Sequence, residues 1–181
     1  MIEQGRFNHV FLRVSFCGWT LPVQYSASVI QSHLYTRQAA SIFDVSHMLQ
    51  VLVKGSDRVR FFERLIVSDL ENLPENSACL TLYTNEKGGI LDDLIVTKTS
   101  EGYLYVVSNA GRAQQDLAHL KTQLAKAKQD GLDVDIDVLE DQSLLALQVK
   151  TRKNGRLDYF DICIFRAHVQ LKSFNLIFHR P

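Results

Sequence analysis

The chain has 181 residues, 46% hydrophobic and 22% charged, a composition that fits a packed fold with a real core and excludes a disordered polymer or a large multidomain enzyme. Lys plus Arg equals Asp plus Glu at 20 each, so overall charge gives no argument for nucleic acid or an anionic membrane as partner. The balance is uneven, since residues 1–148 hold 13 basic and 18 acidic side chains and residues 149–181 hold 7 basic and 2 acidic.

Taken in chain order, SVIQSHLYTRQAA (28–40) places Ile30 and Leu34 at helical spacing behind a possible Ser28 N-cap. MLQVLVKG (48–55) reads as a short strand, and SDRVRFFERLIV as an amphipathic helix capped by Ser56 or Asp57, with Val59, Phe62, Leu65 and Ile66 on one face. ACLTLYTN alternates as a strand does, EKGG supplies a hairpin loop, and ILDDLIVTKT and YLYVVSN are strands joined through SEG. GRAQQDLAHLKTQLAKAKQDG is the clearest helix, with Leu117, Leu120 and Leu124 as its stripe and Gly131 as its stop. VDIDVLED and SLLALQV follow as strands. Consecutive strands joined by tight turns are antiparallel, so the expected class is α+β, an antiparallel sheet with packed helices. From Val149 the sequence turns basic and rich in Phe and Ile, a tail that could supply edge strands.

Cys17, Cys79 and Cys163 are isolated, with no CxxC spacing, and the six histidines show no metal-ligand pattern, so no metal site is expected. No apolar run is long enough to span a bilayer, and the first sixteen residues, with Glu3 beside Arg6 and Arg13, match a cleavable presequence poorly. Phosphate-loop, dinucleotide, zinc-protease and nucleophile-elbow motifs are missing. Asp44, Ser46 and His47 are too close along an extended stretch to converge as a triad.

The stretch GGILDDLIVT (88–97) is the informative one, because it sets Asp92 and Asp93 side by side in an apolar strand. Neighbouring strand residues point to opposite faces, so Asp92 goes with Ile90, Leu94 and Val96, and Asp93 with Leu91, Ile95 and Thr97. Burying an unpaired carboxylate costs roughly 2 to 7 kcal/mol or more. At least one acid therefore meets hydrogen-bond donors or a polar ligand, unless the hairpin mouth leaves it in water.

GGILDDLIVT, YVVSNAG, FDVSHM and GWTLPVQY, in the same continuous stretch as RQAASIFDVSHM, GSDRV and TNEKGGILDDLIV, resemble the aminomethyltransferase (T-protein) family of the glycine cleavage system from about Phe16 to Gln148. The resemblance implies the N-terminal part of that fold, with residues 16–148 as a partial folate-binding domain between nonmatching segments 1–15 and 149–181. It implies transfer of a one-carbon unit from the aminomethyl-dihydrolipoyl arm of the H-protein to tetrahydrofolate with release of ammonia, and a mitochondrial matrix location. Carried over by position, Asp93 is the expected catalytic residue, and Met48, Tyr83, Val107 and Asn109 the expected folate contacts. The expected partners are folate and the lipoylated H-protein, without nucleic acid or membrane. A non-enzymatic folate-binding or regulatory module of the same superfamily is the alternative, although the KGC signature of its iron–sulfur-assembly relatives is missing.

Overall fold

The computed structural model describes residues 12–153 and 156–167, and the side chains of residues 12–148. The described residues fall into two compact units, one of residues 12–14, 21–46, 141–153 and 156–167, the other of residues 15–20 and 47–140. None of the described helices is long and apolar enough to cross a membrane.

The second unit is built on a five-stranded antiparallel sheet in the order β5-β6-β7-β4-β8, formed by β4 (Leu49–Lys54), β5 (Ser77–Thr84), β6 (Ile90–Lys98), β7 (Leu104–Ser108) and β8 (Asp135–Val138). The two helices that follow β4 and β7, α2 (Arg58–Phe62) and α3 (Ala113–Gln129), bury Phe61, Phe62, Leu120 and Ala127 in one core with Val51, Val53, Leu94, Val96, Leu104 and Val106. These strand residues alternate in sequence, as a half-covered sheet requires. Of the stripe expected on α3, Leu120 is fully buried and Leu124 packs against the core, whereas Leu117 is only half-buried.

The helix expected over SDRVRFFERLIV stops at Phe62. Glu63, its C-cap, turns its carboxylate to accept the backbone N–H groups of Leu70 (2.7 Å) and Glu71 (2.9 Å), and Ile66 leaves the helix to bridge Tyr83. Leu65 and Ile66 are buried as expected, from a turn instead of a helix. Asp57, one of the two expected candidates, is the N-cap residue of α2 but makes no capping bond with its side chain. Asp57 accepts the N–H of Asp133 (2.9 Å), and Asp133 accepts the N–H (2.9 Å) and hydroxyl (2.8 Å) of Ser56. This clasp closes on Gly55, whose positive φ of 103° and lack of a side chain let the Asp133 carbonyl approach.

In the first unit, α1 (Val29–Thr36) begins at Ser28 with a complete capping box, Ser28 Oγ accepting from Gln31 N and Gln31 Oε1 from Ser28 N. The helix was expected to reach Ala40 but ends at Thr36, whose hydroxyl bonds back to the Ser32 carbonyl and across to Ser41 Oγ, both at 2.8 Å. β3 (Ala40–Asp44) then pairs antiparallel with β9 (Ser143–Lys153), which pairs on its other side with β10 (Arg156–Ala167). The Phe/Ile-rich segment after Val149 thus continues β9 and returns as an outer strand as far as Ala167, while residues 168–181 lie outside the description. β1 (Leu12–Phe16) and β2 (Trp19–Gln24) form a separate hairpin turned by Cys17 and Gly18, both at positive φ.

Candidate functional site

The ladder between β6 and β7 pairs Leu94 with Ser108 and Ile95 with Val107, and the ladder between β7 and β4 pairs Ser108 with Leu49 and Val107 with Gln50. Asp93 and Ile95 of β6, Val107 of β7 and Gln50 of β4 therefore share one face, while Asn109 and Met48 lie one residue beyond the paired ends of β7 and β4. Asp93 is exposed, Asn109 and Met48 are half-buried, and Val107 is buried.

Asn109 follows the last residue of β7, where the chain leaves the sheet for a short 3-10 turn (Ala110–Arg112) ahead of α3. Its Nδ2 donates to Asp93 Oδ1 at 2.9 Å, to the Asp93 carbonyl at 3.1 Å and to Asp92 Oδ1 at 3.1 Å. One amide therefore grips both acids of the pair from the end of the neighbouring strand. Its Oδ1 has no partner among the described residues, so an acceptor remains beside the Asp93 carboxylate.

Asp92 lies on the opposite face with Leu94 and Val96, facing the core. The bulge opposite Tyr83 and Thr84 breaks the alternation at Leu91, so Ile90, expected to share that face, is instead exposed. Tyr83 is directly opposite Asp92 in the ladder, fully buried, and packed edge-on against Phe62 and His119. Under the same region lies Asp116 of α3, 2% exposed, its carboxyl facing Asp92 and the Ser108 hydroxyl. Burial first, and then the neighbouring Asp92, push the Asp116 carboxyl up to about 7. Burial likewise pushes the His119 imidazole down and the Tyr83 phenol up.

Residues 10–150 match the family described as GCVT N-terminal domain. The chain belongs to the GCVT family. Among its relatives, human mitochondrial aminomethyltransferase is 56% identical over 138 residues, covering 76% of this chain and 34% of that protein. The mitochondrial aminomethyltransferase of Dictyostelium discoideum is 46% identical over 143 residues, covering 78% and 35%. The crystal structure of glycine cleavage system aminomethyltransferase T from Bartonella henselae superposes with a TM-score of 0.67 at 37% identity, over 75% of this chain and 36% of that one. The chain thus spans about a third of the length of the curated relatives it matches.

In this GCVT chain, Asp93 and Val107 share one face of the sheet, Asn109 bonds Asp93 at its edge, and Met48 immediately precedes the end of β4 that pairs there with β7. Tyr83 does not join them, because its place opposite Asp92 turns its ring into the core. Sequence reasoning missed Asp116, Ser108 and Gln50. Gln50 is 2% exposed and its Oε1 accepts the Tyr105 hydroxyl at 2.8 Å. A polar residue inside the apolar run LQVLV was its available signal. Asp44 and Ser46 make a local turn, Ser46 N and Oγ both donating to Asp44 Oδ1 at 3.0 and 2.6 Å, whereas the His47 ring packs edge-on against Phe16. An open concavity of about 540 Å³ beside Gly55 and Asp133 contains none of the candidate site residues.

Proposed function

We propose that this chain carries the folate-facing part of an aminomethyltransferase, with Asp93 as its catalytic residue and Asn109, Met48 and Val107 as contacts to tetrahydrofolate. The observation that carries the reading is the grip of the Asn109 amide on Asp93, an exposed carboxylate with a free amide acceptor beside it at the edge of an apolar sheet face. Such a set fits the polar edge of a pterin, which offers both donors and acceptors, while Met48 and Val107 suit its flat apolar surface. Tetrahydrofolate supplies the nitrogen that receives the one-carbon unit from the aminomethyl-dihydrolipoyl arm of the H-protein, and ammonia departs. Asp93 orients that nitrogen by hydrogen bonding and stabilises positive charge developing next to it, an interaction strengthened where water is excluded. Asn109 fixes the direction of the carboxylate before substrate arrives, so that less reorganisation is needed.

Residues 16–148 form the folate-facing portion in this reading. The names of the mitochondrial relatives support a mitochondrial location, which this reading places in the matrix.

Calorimetry with tetrahydrofolate on this chain and on Asp93→Asn tests the reading. Binding by the parent is expected, weakened at least about tenfold in the variant, the equivalent of about 1.4 kcal/mol. Equal binding by both would remove Asp93 from the site, and no binding by either would refute the reading. Ammonia release from loaded H-protein distinguishes the enzyme from a module that binds folate without turnover.

A further inference from the structure

The core side of the candidate site holds more acid than its reaction needs. Asp92 Oδ2, Asp116 Oδ2 and Tyr83 Oη are all buried without a hydrogen-bond partner, and the two carboxyls face one another between β6 and α3. Two ionised carboxylates in that position would repel in a region of low dielectric, and the charge of Arg112, ahead of α3, offsets that only in part. One proton held between them gives Asp92 and Asp116 a mutual hydrogen bond and leaves the pair with a single negative charge.

We infer that Asp92 and Asp116 share one proton beneath the sheet, and that this acid pair is a positioning element which sets how firmly the Asn109 amide holds Asp93. The link is direct, because Asp92 Oδ1 and Asp93 Oδ1 take hydrogen bonds from the same nitrogen at 3.1 and 2.9 Å. With the proton in place, Asp92 is a modest acceptor and the amide lies toward Asp93. Loss of the proton to solvent puts full charge on both carboxyls, whose Oδ2 atoms are buried, draws the amide toward Asp92 and loosens Asp93. The groups facing the pair are Tyr83 of β5, Ser108 of β7, and Arg112 ahead of α3, whose charge opposes protonation of Asp116; His119 of α3 lies against Tyr83. Neither acid of the pair touches substrate. The role rests on the reading of Asp93 and Asn109 given above.

Carboxyl NMR on the whole chain labelled with 13C-aspartate tests the pair without any folate. The expected result is a coupled titration with one step near pH 7, echoed by the Asn109 side-chain amide signals, with both step and echo lost in Asp116→Asn and in Asp92→Asn. A parent in which neither acid titrates above about pH 5, close to ordinary carboxylates, overturns the pair even if no variant folds. An Asn109 amide that stays flat through the step overturns the positioning role. Tetrahydrofolate affinity is then expected to weaken about threefold to tenfold between about pH 6 and 8 in the parent and to stay level in Asp116→Asn. A coupled step without folate binding keeps the pair and refutes the folate reading, whereas folate binding without the step does the reverse.

Discussion

A single amide nitrogen, Asn109 Nδ2, joins two acids that point to opposite faces of a sheet, and the two acids have different physical lives. Asp93 is exposed at the edge of the sheet. On the other face Asp116 is buried and pushed up to about 7 from 3.8, so the folded chain holds a proton that the unfolded chain releases. The sign follows from linkage: this contribution is fully present below about pH 4 and is lost as pH rises toward 7, since the folded state binds more protons across that window. His119, lowered from 6.5 by burial, acts with the opposite sign and favours the folded state as pH rises to that value. Asp116→Asn isolates the acid. Urea midpoints measured at steps between about pH 4 and 7 should show the parent losing ground to the variant as pH rises, and a constant gap would contradict the buried proton. The alternation of GGILDDLIVT was enough to separate the two acids by face. Asp116 stayed hidden because it sits 24 residues downstream on a helix whose visible stripe is leucine, and only the packing of α3 under β6 brings it to Asp92.

At the level of elements, periodicity located most of the second unit, since β4 to β8 and α3 carry patterns imposed by one core. It overextended α1 and α2, whose ends are set by contacts that no local pattern records: the Thr36 hydroxyl to Ser41 in one case and the Glu63 carboxylate to Leu70 and Glu71 in the other. β1, β2 and β3 were not recognised as strands, although Leu12, Val14 and Phe16, and then Trp19, Leu21 and Val23, occupy alternate positions; these runs are only five or six residues long, and in the structure most of their apolar side chains are exposed. The connection from β4 into α2 depends on Gly55. A Cβ there would lie 2.2 Å from the Asp133 carbonyl oxygen, on a backbone already at φ 103°. Gly55→Ala should therefore cost more than about 2 kcal/mol in denaturant titration, well beyond the propensity change alone. A loss under about 1 kcal/mol would mean that the clasp between residues 55–57 and Asp133 yields easily.

For the molecule as a whole, the antiparallel α+β class followed from turn lengths, and the family followed from a continuous run of motifs reaching well beyond the acid pair. The edges of the main sheet could not be read in that way, because strand order is a property of three dimensions. β8, one edge, is four residues long and carries Asp135 and Asp137. β5, the other, runs eight residues without a charge, leaves Leu80 70% exposed, and among the described residues has a single bridge on its outer side, from Tyr83 to Ile66. An uncharged edge of that length is a template on which a second chain can lay its own strand. Samples of this protein are then expected to be lost by precipitation, faster as they are concentrated, at temperatures where each molecule still keeps its fold. Turbidity followed against concentration should show this, and Leu80→Lys should lengthen the lag before clouding while leaving the melting temperature nearly unchanged.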